Sequence, residues 1–471
     1  MPDCLLPSTT SEPSVPVRAV AAADLDRIVA SLDPAAAAWV GANAFKAAAG
    51  ALLLIPAPDG ALASVLLGLG DPATDPRSAL VAGALAARLP AGVFRLDAGF
   101  TDPAAATLAF ALGAYRFTRY HGGADAPRLI TPEAIDAEAI GAIADGVWLA
   151  RDLINTAPND MGPAELAAAA KALAARHGAE YSETVGGALL SANLPMIHAV
   201  GIAAVPSRSP RLADFSWGDP DRPKVTLIGK GVCFDTGGLD IKPANGMLLM
   251  KKDMAGAANV LGLAHMIMAR RLPVRLRVLI PAVENAISGA AFRPGDVLTS
   301  RKGLTVEIGN TDAEGRLVLG DALALASEES PDLVVDLATL TGAARTALGP
   351  DIPAFFTYDD AIAGDLARAG EAVSDPVWRL PLWLPYMTML ESKFADINNA
   401  GATPFAGSIT AALFLSRFVE PGNRWIHADI YGWTRSAEPG RPYGGEAQAI
   451  RALFAMIVDR YTILKSPQAG A

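Results

Sequence analysis

Beyond about residue 157 the chain alternates short β-rich runs with helical stretches, and this alternation restricts the fold more than any other feature. Residues 224–229, 274–283, 304–308 and 333–337 read as strands, while 254–271 and 317–329 between them read as helices. Strands joined through helices must cross over to parallel neighbours, which predicts a mostly parallel sheet covered by helices. In such sheets the loops at the carboxyl ends of the strands form the ligand crevice. The polar motifs described below fall in loops of that kind.

At 471 residues the chain exceeds one ordinary core, so two domains are expected. Residues 1–18 carry several Pro, Ser and Thr and read as a loose leader. From there to 130, Ala-rich helical segments alternate with apolar runs such as 51–56 and 63–68, which predicts a small α/β domain without a chemical motif. Thr131 followed by Pro132 suits a helix start, and residues 131–157 read as a connecting helix that stops near Asn155. Residues 158–471 form the larger domain. The predicted class is α/β: a small N-terminal α/β domain and a larger C-terminal catalytic domain with a central, mostly parallel, mixed sheet.

Charge and cysteine usage narrow the partners. The balance of 39 basic against 49 acidic side chains, net −10, argues against a general nucleic-acid or membrane-surface binder. Two cysteines, Cys4 and Cys233, are too few for a disulfide framework. No basic, apolar leader is present, and the apolar runs fall far short of the roughly 20 residues needed to span a bilayer. A soluble, cytoplasmic protein is expected.

The first chemical cluster runs from Gly229 to Gly238, directly after a strand, and places Lys230 and Asp235 five positions apart among glycines. Glycine lets the backbone turn sharply and approach a ligand closely. Lys242 follows, then Asp253 just before a helix, where the commonest role of an Asp is a helix N-cap. The second cluster, Asn310-Thr311-Asp312-Ala313-Glu314-Gly315-Arg316, again lies between a strand and a helix. In an extended segment Asp312, Glu314 and Arg316 would point to one side. Inward-facing carboxylates repel, and a cation between them removes the difficulty; the plainer alternative is a solvated acidic loop capped by Arg316.

Asp235, Asp253, Asp312 and Glu314, with Lys230 as a nitrogen donor, suit Mg2+, Mn2+ or Zn2+ in a two-metal site. There is no HExxH helix, and the five His are scattered, which opposes a His-based centre. Neither a G-x-S-x-G elbow nor a GxxxxGK[ST] phosphate loop occurs. Cys233, in an apolar run without an adjacent His, reads as a buried structural thiol.

These residues resemble the leucyl aminopeptidase (cytosol aminopeptidase, M17) family. The likeness rests on Lys230 to Gly238, Lys242, Asp253 and 310–317, supported by Arg293-Pro294-Gly295-Asp296-Val297, Ala338-Thr339-Leu340-Thr341-Gly342 and Ser408-Ile409-Thr410-Ala411-Ala412. The resemblance implies that Asp235 and Glu314 bridge two divalent ions, with Lys230, Asp253 and Asp312 completing the set. It implies that Lys242 stays cationic and polarises the scissile carbonyl, and that Arg316 holds a bicarbonate acting as general base. Met250, Thr339 and Gly342 match positions lining the pocket for the first side chain, Leu340 contacts the substrate through its backbone, and Asn310 belongs to the same binding set. The implied reaction is hydrolysis of the N-terminal peptide bond by metal-bound hydroxide, with apolar first residues such as Leu favoured. The implied assembly is a homohexamer of two trimers.

Departures from the family pattern are modest. Thr236 stands where Ser is usual, Leu248 and Leu249 replace more polar residues, and Ala406 precedes Gly407 where a Gly pair is common. Residues 443–456 follow the pattern only loosely. Two rivals remain at this level: a two-metal phosphoesterase, separable by comparing peptide and phosphate ester substrates with Mn2+, and a DNA-binding or structural hexamer, separable by a salt titration of binding.

Overall fold

A computed structural model describes residues 2–75, 78–123 and 125–462. The chain divides into two units. The first runs to Trp148 and takes in Thr434–Tyr443; the second comprises Leu149–Trp433 and, among the described residues, Gly444–Thr462. The division passes through the helix Ala137–Asn155. The ten-residue return of Thr434–Tyr443 to the first unit has no counterpart in the expected boundaries, because it depends on long-range packing alone.

The smaller unit holds a six-stranded sheet in the order Leu5–Leu6, Pro127–Ile130, Gly92–Leu96, Val15–Ala21, Leu62–Gly70, Leu52–Pro56. The expected loose leader is therefore corrected. Leu5 and Leu6 pair in parallel with Leu129 and Ile130, and Val15–Ala21 lies between two parallel neighbours with Val17 and Ala19 buried. Burial of Val17, Ala19 and Val20 between the two neighbouring strands outweighs the turn-forming bias of the residues before them. The connecting helix also starts later than Thr131–Pro132 suggests. The Thr131 amide donates to Leu6 O, extending the strand, and Asp136 caps the helix by accepting from Ala139 N at 2.8 Å.

The larger unit is built on a sheet of nine strands, of which four form its parallel centre: Trp425–Asp429, Leu333–Ala338, Lys224–Gly229 and Arg275–Asn285. Arg211–Trp217 and Glu180–Val185 extend one side antiparallel, and Ala354–Phe356 joins the other side antiparallel. Every residue of Leu333–Ala338 is buried, as a strand covered on both faces requires. The helix Ala255–Ala269 is buried from residue 255 through 268, which explains its apolar character all round. The run at 304–308 contributes only the strand Thr305–Glu307, and that strand leaves the main sheet. It pairs with Val297–Thr299 and Ile397–Asn398 in a small sheet of its own. No helix among the described residues is long and apolar enough to cross a membrane.

The chain leaves Lys224–Gly229 for Arg275–Asn285 on one side, and Leu333–Ala338 lies on the other. Strand order thus reverses at the carboxyl end of Lys224–Gly229, where a parallel sheet opens a crevice. Lys230 is the next residue.

Candidate metal centre

Lys230 is held at the switch point by its own backbone. Its amide donates to Leu337 O at 3.0 Å, and its carbonyl accepts from Ala257 N at 2.9 Å. Gly231–Asp235 then continues beside Arg275–Asn285, carrying Asp235 to the edge of the crevice. Lys230 is 3% exposed; its Nζ lies 2.9 Å from Asp253 Oδ2 and 2.8 Å from Glu314 Oε1 and donates to Thr339 O.

Asp235 is fixed by two donors to one oxygen, Gly237 N at 2.8 Å and Asn285 Nδ2 at 2.9 Å, and its other oxygen lies 2.9 Å from Lys242 Nζ. Gly237 and Gly238 have φ of 87° and 67°, a left-handed pair that turns the chain back under the carboxylate at the least conformational cost. Asp253 sits in the turn Met250–Met254 and accepts from Thr339 Oγ1 at 2.7 Å. It caps no helix: the following helix has Met254 at its N-cap and no side-chain cap bond. The common N-cap reading of Asp253 fails, because the side chain points into the crevice.

The second cluster is not extended. Asp312 lies in a turn, Glu314 takes the N-cap position of Gly315–Ser327, and Arg316 is already helical. Convergence arises from that strand-to-helix turn. Asn310 Oδ1 accepts from Asp312 N, while Asn399 accepts from the amides of Gly309 and Asn310 and donates to Asn310 O. Thr311 accepts from Asp240 N and donates to Gly237 O, tying the two motif loops together. Lys242 also pairs with Asp312.

The outcome is that ligand oxygens of Asp235, Asp312 and Glu314 lie within 4.8 Å of one another. Buried oxygens of Asp253, Asp312 and Glu314 are near ammonium nitrogens by distance, yet none receives a hydrogen bond in proper geometry. Burial, and then Asp235, push Glu314 well above the usual carboxylate range and Asp312 up to about 6. Burial alone would lower Lys230, but Asp253, Glu314 and Asp235 together hold its ammonium above the ordinary range. So many acids in so little space, with orphaned oxygens, fit a divalent cation.

Lys230, Asp235, Lys242, Met250, Asp253, Asn310, Asp312, Arg316, Thr339, Leu340 and Gly342 line one cleft of about 530 Å³, which accounts for all the expected site residues except Glu314, buried beneath it. Arg316 donates to Asn399 O at 2.6 Å, while its buried Nε has no partner. Burial lowers its pKa to about 10. The positioning residues Asn285, Asn399 and Asp240 carry no sequence signal, since a lone Asn or Asp in a loop has many commoner uses.

The cytosol aminopeptidase family's catalytic-domain profile matches residues 148–454, and the N-terminal domain profile of M17 aminopeptidases matches 15–132. The chain belongs to the cytosol aminopeptidase (M17) family. A probable cytosol aminopeptidase from Roseiflexus castenholzii is 43% identical over 76% of this chain and 77% of its own. The crystal structure of the cytosol aminopeptidase from Coxiella burnetii superposes with a TM-score of 0.92 at 47% identity, covering 98% of this chain and 100% of that one. A bottromycin maturation enzyme, BotP, in complex with Mn aligns with a TM-score of 0.86 at 33% identity over 95% of this chain and 99% of its own. As a cytosol aminopeptidase family member the protein is a peptide-bond hydrolase of two-domain α/β fold, with a carboxylate cluster suited to a divalent metal.

Proposed function

We propose that this protein removes the first residue of peptides, favouring apolar ones such as Leu, at a centre of two divalent ions. The observation that carries the reading is the convergence of Asp235, Asp312 and Glu314 within 4.8 Å, flanked by Lys230 and Asp253. Asp235, Glu314, Lys230, Asp253 and Asp312 would hold the ions. When bound, such ions polarise a carbonyl and acidify water so that a nucleophile exists near neutral pH.

The remaining steps belong to the chain's own groups. Lys242 opposes its burial with Asp235 and Asp312, which hold its ammonium above the usual range. A cation so held can stabilise negative charge developing on the carbonyl oxygen. Arg316, with a free buried Nε and a planar fork, suits a bicarbonate positioned as proton acceptor. Met250, Thr339 and Gly342 border the space for the first side chain, with the Leu340 backbone and Asn310 beside the peptide.

Mn2+ or Zn2+ is the proposed metal, with Mg2+ also compatible with the oxygen-rich set. A cytoplasmic homohexamer without nucleic-acid or membrane partners completes the reading. The test is activity on leucyl amide after chelation and restoration of one ion at a time. Full activity in the chelated protein would overturn it.

A further inference from the structure

Two cations on one wall of the cleft have no ion-pair partner among the described residues. Lys252, in the turn Met250–Met254, is 4% exposed and lines the cleft, with Nζ 4.6 Å from the centroid of the Tyr431 ring. The guanidinium of Arg345 lies 5.0 Å from the same centroid. Neither side chain makes an ion pair or a side-chain hydrogen bond among the described residues. Arg345 also reaches toward Gly342, its Nη2 standing 3.7 Å from where a Cβ at 342 would lie.

The nearby acids are already committed. Asp253 lies 2.9 Å from Lys230 Nζ through one oxygen and accepts from Thr339 Oγ1 through the other. Asp429 accepts from the amides of Leu340 and Thr341 and from Thr341 Oγ1. A buried ammonium with only a ring face as partner is costly to keep in a fold, and an arriving anion offsets that cost. Met250 and Tyr431 border the same space and offer apolar surface for a side-chain stem.

We propose that Lys252 and Arg345 receive the side-chain carboxylate of an N-terminal Glu or Asp, so that acidic first residues are accepted alongside apolar ones. The inference rests on the aminopeptidase reading above, and on Met250 and Gly342 bordering the first side chain. The stem of Glu packs beside Met250 and Tyr431, and its carboxylate meets the two cations. Leu uses only the apolar part of the same space.

The test compares kcat/KM of the Mn2+-loaded full chain for the α-(4-nitroanilides) of L-Glu and L-Leu. Wild type is expected to give a Glu/Leu ratio within about tenfold of unity. That ratio should fall at least tenfold in Lys252→Met and several-fold in Arg345→Gln, and 0.5 M salt should lower it in wild type through screening. The ratio within each variant cancels a general loss of active enzyme, and exposed Arg345 guards against a misfolded Lys252 variant. Cleavage of the Leu anilide with a Glu anilide more than a thousandfold slower overturns this inference alone, as does an unchanged ratio in both variants. Failure to cleave either anilide overturns the aminopeptidase reading and this inference with it.

Discussion

Gly315 and Lys230 compete for one space: a Cβ at position 315 would stand 2.5 Å from Lys230 Cε and 2.6 Å from its Nζ. The helix that begins at Gly315 therefore lacks a side chain where the lysine passes between Asp253 and Glu314. Gly-to-Ala exchange at a helical position ordinarily stabilises by about 0.5–1 kcal/mol. Here the clash displaces the amine, so Gly315→Ala should lose at least about 100-fold in kcat/KM while the thermal midpoint changes little. Wild-type turnover on leucyl amide would refute the close packing.

Thr339 orients Asp253 through a 2.7 Å hydrogen bond. A group that orients a metal-binding carboxylate typically contributes about 10–100-fold to affinity. Thr339→Val keeps the shape and removes the hydroxyl, so Mn2+ affinity measured by calorimetry should fall by about that factor. Unchanged affinity would mean that Asp253 needs no such support.

Asp240 accepts from the amide of Thr311 at 2.8 Å, joining the two motif loops. Asp240→Ala leaves the buried Thr311 amide without its acceptor, at a cost of about 1–3 kcal/mol. Because Asp312 is the next residue, metal affinity and thermal midpoint should fall together. A variant that loses neither would show that the loops hold their places independently.

Asp312→Asn removes one charge from the cluster while preserving shape. Loss of Mn2+ binding together with turnover is expected, read by equilibrium dialysis and leucyl amide hydrolysis. Full activity after dialysis would remove Asp312 from the proposed set.

His177 Nε2 lies 3.1 Å from His265 Nδ1, and the other ring nitrogen of His265 is buried without a partner. Burial, followed by the Arg176 charge, lowers His265 to about 4. A folded-state value below the unfolded one of about 6.5 favours the neutral ring in the fold. This contribution is complete above pH 6.5 and is lost as pH falls toward 4. At pH 5 the penalty from His265 reaches about 2 kcal/mol. The thermal midpoint should therefore drop between pH 7 and pH 5, and drop less in His265→Met. Equal declines in both proteins would place the acid sensitivity elsewhere.

The sequence by itself determined the class of fold and the family. Alternating strand and helix patterns from residue 224 to 338 dictated a parallel-centred sheet, and the motifs holding Lys230, Asp235, Asp312 and Glu314 fall next to strand ends. These signals are local, carried by periodicity and glycine, and so can be read along the chain. Tertiary structure decided which groups meet and what orients them. Asp253 faces the crevice rather than capping its helix because Lys230 and Thr339 hold it there. Leu5 and Leu6 enter a sheet because Leu129 and Ile130, more than a hundred residues away, supply their partners. The unpaired charges of Lys252 and Arg345 emerge only when Asp253 and Asp429 are seen to be engaged elsewhere. Charge compensation and strand pairing depend on distances in space, and a linear chain fixes those only once it has folded.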